Sequence, residues 1–246
     1  MSTATPTRRV LTRAVLPAVV AAAAWHGAPA LSARGALRRA VPRLSGQGRP
    51  GGVALTFDDG PHPLGTPAVL AALAELDWTA TFFLLGSEVR RFPDVARAIA
   101  DAGHEIALHG DEHRNHLTRS AAWVRSDLTR ARADVAAVTG RTPRWFRPPY
   151  GVLSGGSLHA AAALDLTPVL WTAWGRDWQP IPAQQVLQHL VSGLSDGGTL
   201  LLHDSDCTSA PGSWRNTAAV LHLLAAELDH RGQAVRPLRD HLVRRG

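Results

Sequence analysis

The sequence predicts an α/β protein built on a parallel sheet. From Val53 onward, short apolar or β-branched stretches alternate with helical stretches, which is the order that parallel sheets require. Polar clusters directly follow several of these strands, and such folds carry their chemistry at the carboxyl ends of their strands. At 246 residues, the chain has the length of one domain with a short appendage. These observations leave open whether the sheet is open or closed into a barrel.

The alternation begins with a buried strand and continues to the end of the chain. The predicted strands are residues 53–57, 79–85, 105–109, 145–147, 168–171, 199–203 and 234–236. The predicted helices are residues 66–76, 93–102, 120–138, 156–164, 182–194 and 216–230. Gly103 and Gly140 follow two of these helices, at the position where glycine commonly ends a helix.

The positive charge of the chain is concentrated in its first 57 residues. They contain 8 of the 26 basic residues and none of the 20 acidic residues, so the rest of the chain is near neutral. We therefore expect no nucleic-acid-binding surface on the part of the chain that follows residue 57. The single cysteine, Cys207, excludes an intramolecular disulfide and a structural zinc site built on cysteines.

The first 30 residues have the layout of an export signal. A basic start precedes an apolar run over residues 14–25 and small residues at 28–30. Because a membrane span needs ~20 residues, this run is short for a span, and it leaves open whether the segment is cleaved or remains as a weak anchor with a transient membrane association. We expect a secreted or cell-envelope protein, the alternative being a cytoplasmic protein with an alanine-rich tail. Residues 31–51 are predicted to be a linker, and residues 52–246 the catalytic domain.

The opening strand ends in two adjacent carboxylates, Asp58 and Asp59, followed by Gly60-Pro61. Two neighbouring acids repel each other unless a cation or a proton separates their roles. We therefore expect one of them to bind a metal ion and the other to remain available as a base. An ordinary acidic turn is the alternative, because Asp-Gly-Pro is common turn chemistry.

His109 and His113 follow the third strand and are four residues apart. On a helical turn this spacing puts two imidazoles on one face, as chelation requires, although a solvated turn is the alternative. Because Asp59 also follows a strand, the three side chains can share one rim. Two imidazoles and a carboxylate make an open, catalytic metal site. Zinc is the default divalent ion for such ligands, and cobalt, nickel or iron could occupy them too.

Two later strands also end in polar clusters. In Arg147-Pro148-Pro149-Tyr150-Gly151, the prolines fix the backbone so that an N–H group can be aimed at a ligand, and Arg147 can hold an acid by bidentate pairing. A rigid structural loop is the alternative. His203, at the end of another strand, could stay protonated near neutral pH beside a carboxylate and act as an acid. Taken singly, such a histidine is more often structural.

These clusters, in this order, resemble the motifs of the NodB-like polysaccharide deacetylases, carbohydrate esterase family four. The resemblance covers about residues 52–242 and rests on the segments 56–60, 109–113, 147–151, 177–178 and 201–203. It implies a deformed (β/α) barrel of fewer than eight units, which we expect to have seven strands. It also implies a metal-dependent N- or O-deacetylase.

The resemblance also implies a role for each motif residue. Asp58 would be the catalytic base tethered by Arg147, and the backbone N–H of Tyr150 would stabilise the oxyanion. The implied metal ligands are Asp59, His109 and His113. His203 would be the general acid oriented by Asp177, while Leu201 and Trp178 would line the pocket for the acetyl methyl group.

The sequence departs from the family pattern at two positions. Gly110 stands where the family usually has a serine or threonine whose hydroxyl steadies the loop, and Trp174 stands where an acid is often found. Neither departure removes a ligand, and Trp174 adds apolar surface suited to stacking on a sugar face. Trp214, in a rim loop after His203, either contacts substrate or caps the barrel.

The predicted function is removal of acetyl groups from N-acetylglucosamine-type residues of a polysaccharide such as peptidoglycan or chitin-like oligomers. The alternatives are an O-deacetylase or a small-amide hydrolase on the same scaffold, and a sugar-binding module without turnover. The expected cofactor is one divalent metal ion, and the expected partner is an acetylated carbohydrate. The sequence leaves the oligomeric state open.

Overall fold

The computed structural model describes residues 7–34 and 40–242. One curved, parallel sheet lies at its centre. The strands are β1 (Gly52–Asp58), β2 (Thr81–Leu84), β3 (Glu105–Leu108), β4 (Trp145–Phe146), β5 (Thr167–Pro168), β6 (Ala173–Trp174), β7 (Thr199–His203) and β8 (Ala234–Arg236). The helices are α1 (Thr7–Gly27), α2 (Gly65–Glu75), α3 (Gly86–Arg91), α4 (Pro93–Asp101), α5 (Ala121–Thr139), α6 (Gly155–Ala163), α7 (Ala183–Gly193), α8 (Trp214–His230) and α9 (Leu238–His241).

The sheet has the topology of a deformed (β/α) barrel, which confirms the predicted fold. Seven strands follow one path in the order β5-β4-β3-β2-β1-β7-β6, and every pairing is parallel. The eighth strand, β8, pairs with the first residues of β1. Because β1 lies inside the path, between β2 and β7, its carboxyl end has a neighbouring strand end on either side.

Alternate residues of the strands face opposite sides of the sheet, as the period of two requires. Leu55 and Phe57 belong to the main apolar cluster, which also contains helix residues such as Leu73 and Leu128. Thr56 and Asp58 alternate with them and lie on the inner side, where both contact Arg147. The outer face of the sheet therefore makes the core with the helices, and the inner face is free to carry polar groups.

The predicted strand 168–171 is wrong beyond its first residue, because β5 ends at Pro168 and the next strand, β6, begins only at Ala173. The carbonyls of Val169 and Leu170 accept hydrogen bonds from the buried guanidinium of Arg147, at 3.3 and 2.8 Å. The Leu170 N–H donates to the Leu44 carbonyl at 2.7 Å. These partners take the backbone groups that a continuous strand would use. Helix α3 was not predicted, because Gly86 at its start has the character of a helix breaker.

The N-terminal segment contacts the barrel. Trp25 lies against Gly155 at the start of α6, and His26 Nε2 is 3.1 Å from the Leu117 carbonyl. In the described residues, no helix is long and apolar enough to cross a membrane. Residues 35–39 of the predicted linker lie outside the described residues, whereas Leu44 packs on the core. The domain boundaries stay predictions.

Candidate active site

The candidate site lies where the carboxyl ends of the central strands meet. Asp58 ends β1 and is in register with His203, which ends β7. His109 follows β3 directly, and Arg147 follows β4. A cavity of about 390 Å³ opens at this rim. Its lining includes Asp58, Asp59, His109, His113, Tyr150, Trp171, Trp174, Trp178, Leu201, His203 and Thr208.

Asp59, His109 and His113 form a cluster with the geometry of a metal site. Asp59 Oδ1 is 3.2 Å from His109 Nε2 and 3.4 Å from His113 Nε2, and one ligand atom from each residue lies within 4.8 Å of the others. Asp59 Oδ1 is buried without a hydrogen-bond partner among the described residues. His109 Nδ1 donates to the Arg147 carbonyl at 2.8 Å, so its Nε2 faces the cluster. These residues fit a divalent metal ion.

The electrostatics favour the protonation states that metal ligands need at Asp59 and His113. At His109, burial alone would lower the pKa, but the charges of Asp58 and Asp59 raise it. Burial alone would raise the pKa of Asp59, but the close contact with His109 and the charges of His203 and His113 lower it below its usual range. Burial lowers the pKa of His113 to about 4, against the opposing charge of Asp59. At neutral pH the cluster therefore offers a carboxylate and a neutral imidazole at these two positions.

Arg147 is fully buried and fixes the orientation of Asp58. Its Nη1 donates to Asp58 Oδ1 at 2.6 Å and to Thr56 Oγ1 at 2.9 Å. The guanidinium carbon lies 4.0 Å from the centre of the Phe83 ring, so the group is packed as well as hydrogen-bonded. Asp58 Oδ2 remains beside the cluster, 3.8 Å from His109 Nε2. One oxygen of Asp58 is thus held and the other is available for chemistry.

His203 is oriented by a buried carboxylate, as the resemblance implies. Its Nδ1 lies 2.9 Å from Asp177 Oδ1, and its backbone N–H donates to Asp177 Oδ2 at 2.7 Å. Thr217 Oγ1 also donates to Asp177 Oδ2 at 2.7 Å. Burial alone would lower the pKa of His203, but the charge and hydrogen bond of Asp177 raise it to about 9. His203 is therefore protonated at neutral pH.

Aromatic residues form one wall of the cavity. The rings of Trp174 and Trp178 are stacked, with centroids 6.3 Å apart, and the Trp171 ring lies 5.8 Å from Trp174. Leu201 lines the same cavity, and the contact of Leu201, Trp178 and Trp174 with substrate stays a prediction. Sequence reasoning did not single out Trp171, which is hidden inside the apolar run before Thr172.

Two of the predicted site residues, Tyr150 and Trp214, are not fully buried. Tyr150 has left-handed backbone angles (φ 61°, ψ 7°), its side chain is 60 % exposed, and its ring centroid is 4.4 Å from that of His113. The use of its N–H as an oxyanion donor stays a prediction. Trp214 begins α8, with its ring 6.4 Å from that of His62, and is not among the cavity-lining residues described. The structure does not bring Trp214 together with the other candidates.

Comparison with known proteins identifies the family. The family model described as polysaccharide deacetylase matches residues 45–169. A chitooligosaccharide deacetylase from Azorhizobium caulinodans is 32 % identical over 191 residues, which are 75 % of this chain and 91 % of that protein. The chain belongs to the polysaccharide deacetylase family.

Solved structures of the polysaccharide deacetylase family share the fold. A family 4 carbohydrate esterase from Streptomyces lividans, in complex with acetate, matches with a TM-score of 0.68 and 32 % identity, covering 75 % of this chain and 91 % of that one. A peptidoglycan N-acetylglucosamine deacetylase bound to a substituted benzamide matches with a TM-score of 0.75 and 27 % identity, covering 81 % and 91 %. The predicted resemblance is therefore confirmed.

Asp127 supports the loop between the two histidines and was not found from the sequence. Its Oδ2 accepts a hydrogen bond from the Asp111 N–H at 2.9 Å, and its Oδ1 accepts one from the Glu112 N–H at 3.3 Å. Gly110 has φ +100°, and a Cβ at this position would lie 3.2 Å from Asp127 Oδ2. The carboxylate of Asp127 thus lies where a side chain at Gly110 would extend.

The position of Asp127 in its helix could have indicated from the sequence that this carboxylate makes a buried contact. It lies on the buried side of α5 with Val124, Leu128 and Ala131. Carboxylates are rarely fully buried without partners, so an acid on an apolar stripe indicates a buried polar contact. The sequence does not say that this contact is the histidine loop.

Proposed function

We propose that this protein is a metal-dependent deacetylase acting on N-acetylglucosamine-type residues of a polysaccharide, with peptidoglycan or chitin-like oligomers as substrates. The observation that carries the proposal is the convergence of three candidate metal ligands with Asp58 and His203 in one cavity. Relatives named as chitooligosaccharide deacetylase and peptidoglycan N-acetylglucosamine deacetylase support the substrate class.

Hydrolysis of an acetamide needs a base for the attacking water, stabilisation of the developing oxyanion, and a proton for the leaving amine. A divalent ion held by Asp59, His109 and His113 would supply positive charge to polarise the acetyl carbonyl. Asp58 Oδ2 accepts the proton of the attacking water. Arg147 holds the other oxygen of Asp58, so that this base keeps its orientation during the reaction.

His203 donates the proton to the leaving nitrogen. The raised pKa of about 9 supports this role, because an acid must be protonated before the bond breaks. Asp177 keeps the imidazole oriented and stabilises its positive charge, while Thr217 fixes Asp177 in turn. The proton that Asp58 accepts and the proton that His203 donates are thus handled by two different side chains of one cavity.

The wall of the cavity suits a sugar with an acetyl group. Tryptophan rings offer flat apolar faces to the C–H groups of a sugar ring, and Trp178 is 38 % exposed at the rim. Leu201 and Trp178 supply apolar surface for the acetyl methyl group. We infer zinc as the native ion from the two imidazole ligands, and a secreted or cell-envelope location from the basic and apolar layout of the first 30 residues.

Acetate release from N-acetylglucosamine oligomers and from peptidoglycan tests the proposal. We expect release that a chelator abolishes and that added zinc restores, with cobalt, nickel and iron compared in parallel. The matched control is Asp58→Asn, which has the same shape and should release no acetate. Sugar binding without any acetate release would identify a binding module instead. Release from O-acetylated sugars alone would identify an O-deacetylase.

A further inference from the structure

The rim loop, defined here as residues 205–213, reaches back to the candidate metal centre. Thr208 Oγ1 donates a hydrogen bond to Asp59 Oδ2 at 2.5 Å. The neighbouring Cys207 Sγ lies 3.5 Å from the backbone carbonyl of Asp59. The loop therefore touches both the side chain and the main chain of one ligand, although it is almost 150 residues away in sequence.

Asp59 depends on such support more than a strand residue does. It lies one residue beyond the end of β1 and has φ 75°, a left-handed conformation that is uncommon for residues other than glycine. The ladder of β1 therefore does not set the direction of its carboxylate. Its Oδ1 faces the two imidazoles, and among the described residues Thr208 supplies the only hydroxyl bonded to Oδ2.

We propose that Thr208 is a positioning residue of the metal centre: its hydroxyl holds Asp59 Oδ2, so that Oδ1 is presented to the ion. The inference rests on the metal site of the proposed function. Partners behind a metal ligand fix its orientation, and their loss typically costs about 10- to 100-fold in metal affinity. Thr208 does for Asp59 what the Arg147 carbonyl does for His109.

The rim loop is itself anchored, so Thr208 is held rather than merely nearby. The Gly212 N–H donates to Asp206 Oδ2 at 2.5 Å, and Asp206 Oδ1 is 3.2 Å from His62 Nε2. The Ala210 N–H donates to the Trp178 carbonyl at 3.0 Å. The support of the metal ligand and the exposed tryptophan of the sugar wall are therefore joined through one loop.

The test compares metal affinity in Thr208→Val and Thr208→Ser, using full-length protein stripped of metal and titrated with zinc against a chromophoric chelator. Valine keeps the shape of threonine and removes the donor, whereas serine keeps the donor. We expect the dissociation constant for zinc to rise about 10- to 100-fold in the valine variant and to stay within about threefold of wild type in the serine variant. Thr129→Val, an exposed site on α5, controls for the same chemical change and should leave the affinity unchanged.

Two further readouts separate positioning from a loss of folding. Because Thr208 is exposed, the metal-free Thr208→Val protein should unfold at the wild-type temperature, and only the stabilisation gained on adding zinc should shrink. The visible spectrum of the cobalt form should change in Thr208→Val and not in Thr208→Ser. Equal zinc affinity in wild type and Thr208→Val would overturn the role of Thr208 but not the metal site. That result is expected if both oxygens of Asp59 bind the ion. Wild type that binds no metal would overturn the proposed metal site as well.

Discussion

The two halves of the candidate site are positioned in different ways. Asp58 and His203 form a strand half: they end adjacent strands, and the register of β1 with β7 brings them to one rim. Asp59, His113 and Tyr150 form a loop half, in which Asp59 and Tyr150 have left-handed backbones and His113 lies in a loop. The strand half is fixed by the sheet, whereas the loop half needs side chains from distant elements to hold it.

Substitutions in the strand half and in the loop half are therefore expected to have different effects. Changes to the strand half should remove proton transfer while the metal ion stays bound. Changes to the supports of the loop half should weaken metal binding while the sheet stays folded. The following predictions test that division, beginning with the largest expected effect.

Arg147→Met should be the most damaging single change. It removes every hydrogen bond of the guanidinium and leaves Asp58 buried without its partner. Breaking a buried ion pair costs about 3–5 kcal/mol of the free energy of unfolding, and acetate release should be lost. Urea unfolding measures the first effect, and Arg125→Met on the exposed face of α5 is the control. An unchanged urea midpoint would show that Arg147 does not hold the strand half.

Asp127→Ala should weaken the loop half. It leaves the buried Asp111 N–H unpaired at a cost of about 1–3 kcal/mol, and it frees the loop that carries His113. We expect a lower unfolding temperature and weaker zinc binding, with a smaller loss in Asp127→Asn because its amide oxygen can still accept a hydrogen bond. A lower unfolding temperature with wild-type zinc affinity would mean that Asp127 supports the fold and not the metal site.

Asp177→Asn should change the pH dependence of the strand half without releasing metal. A general acid works only while protonated, so kcat should fall as pH rises through the pKa of His203, near 9 in wild type. Without the charge of Asp177, the lowering effect of burial is opposed only by the charges of Asp58 and Asp59, so the pKa of His203 and the alkaline limb should move to lower pH. Thr217→Val, which keeps the charge, should move it less. A pH–rate profile identical to wild type would contradict the assignment of His203 as the acid.

Trp178→Ala should have the smallest of these effects. Loss of one exposed aromatic contact corresponds to about 1 kcal/mol, so KM for an N-acetylglucosamine oligomer should rise several-fold while kcat changes little. Trp214→Ala provides the comparison, because its ring packs near His62 and not on the described cavity wall. A larger rise in KM for Trp214→Ala than for Trp178→Ala would place the sugar contact at the start of α8.

The sequence predicted the strand half well for a physical reason. Apolar runs that end in Asp58 and His203 locate both the strands and the residues that end them, and parallel strands bring those ends together. The strand predicted at 168–171 failed because Arg147 takes the carbonyls of Val169 and Leu170, which no local pattern reveals.

The residues that hold the site side chains in place were not predictable in the same way. Asp127, Thr208 and Thr217 act on residues between 15 and about 150 positions away, through single hydrogen bonds. Such contacts leave no periodic trace in the sequence. Gly110 is an exception to this rule. A glycine where the family usually has a serine or threonine indicates that another group, here Asp127, supports the loop. The residue types of a site are therefore easier to predict than the contacts that hold them in place.

The most direct test of the account is the metal content of two variants, measured by elemental analysis beside acetate release. Asp58→Asn should keep about one zinc ion per chain and lose turnover, because Asp58 is the base and not a ligand. His113→Ala should lose the metal itself. If the metal content fell equally in both variants, the division of the two neighbouring aspartates into a base and a ligand would be wrong.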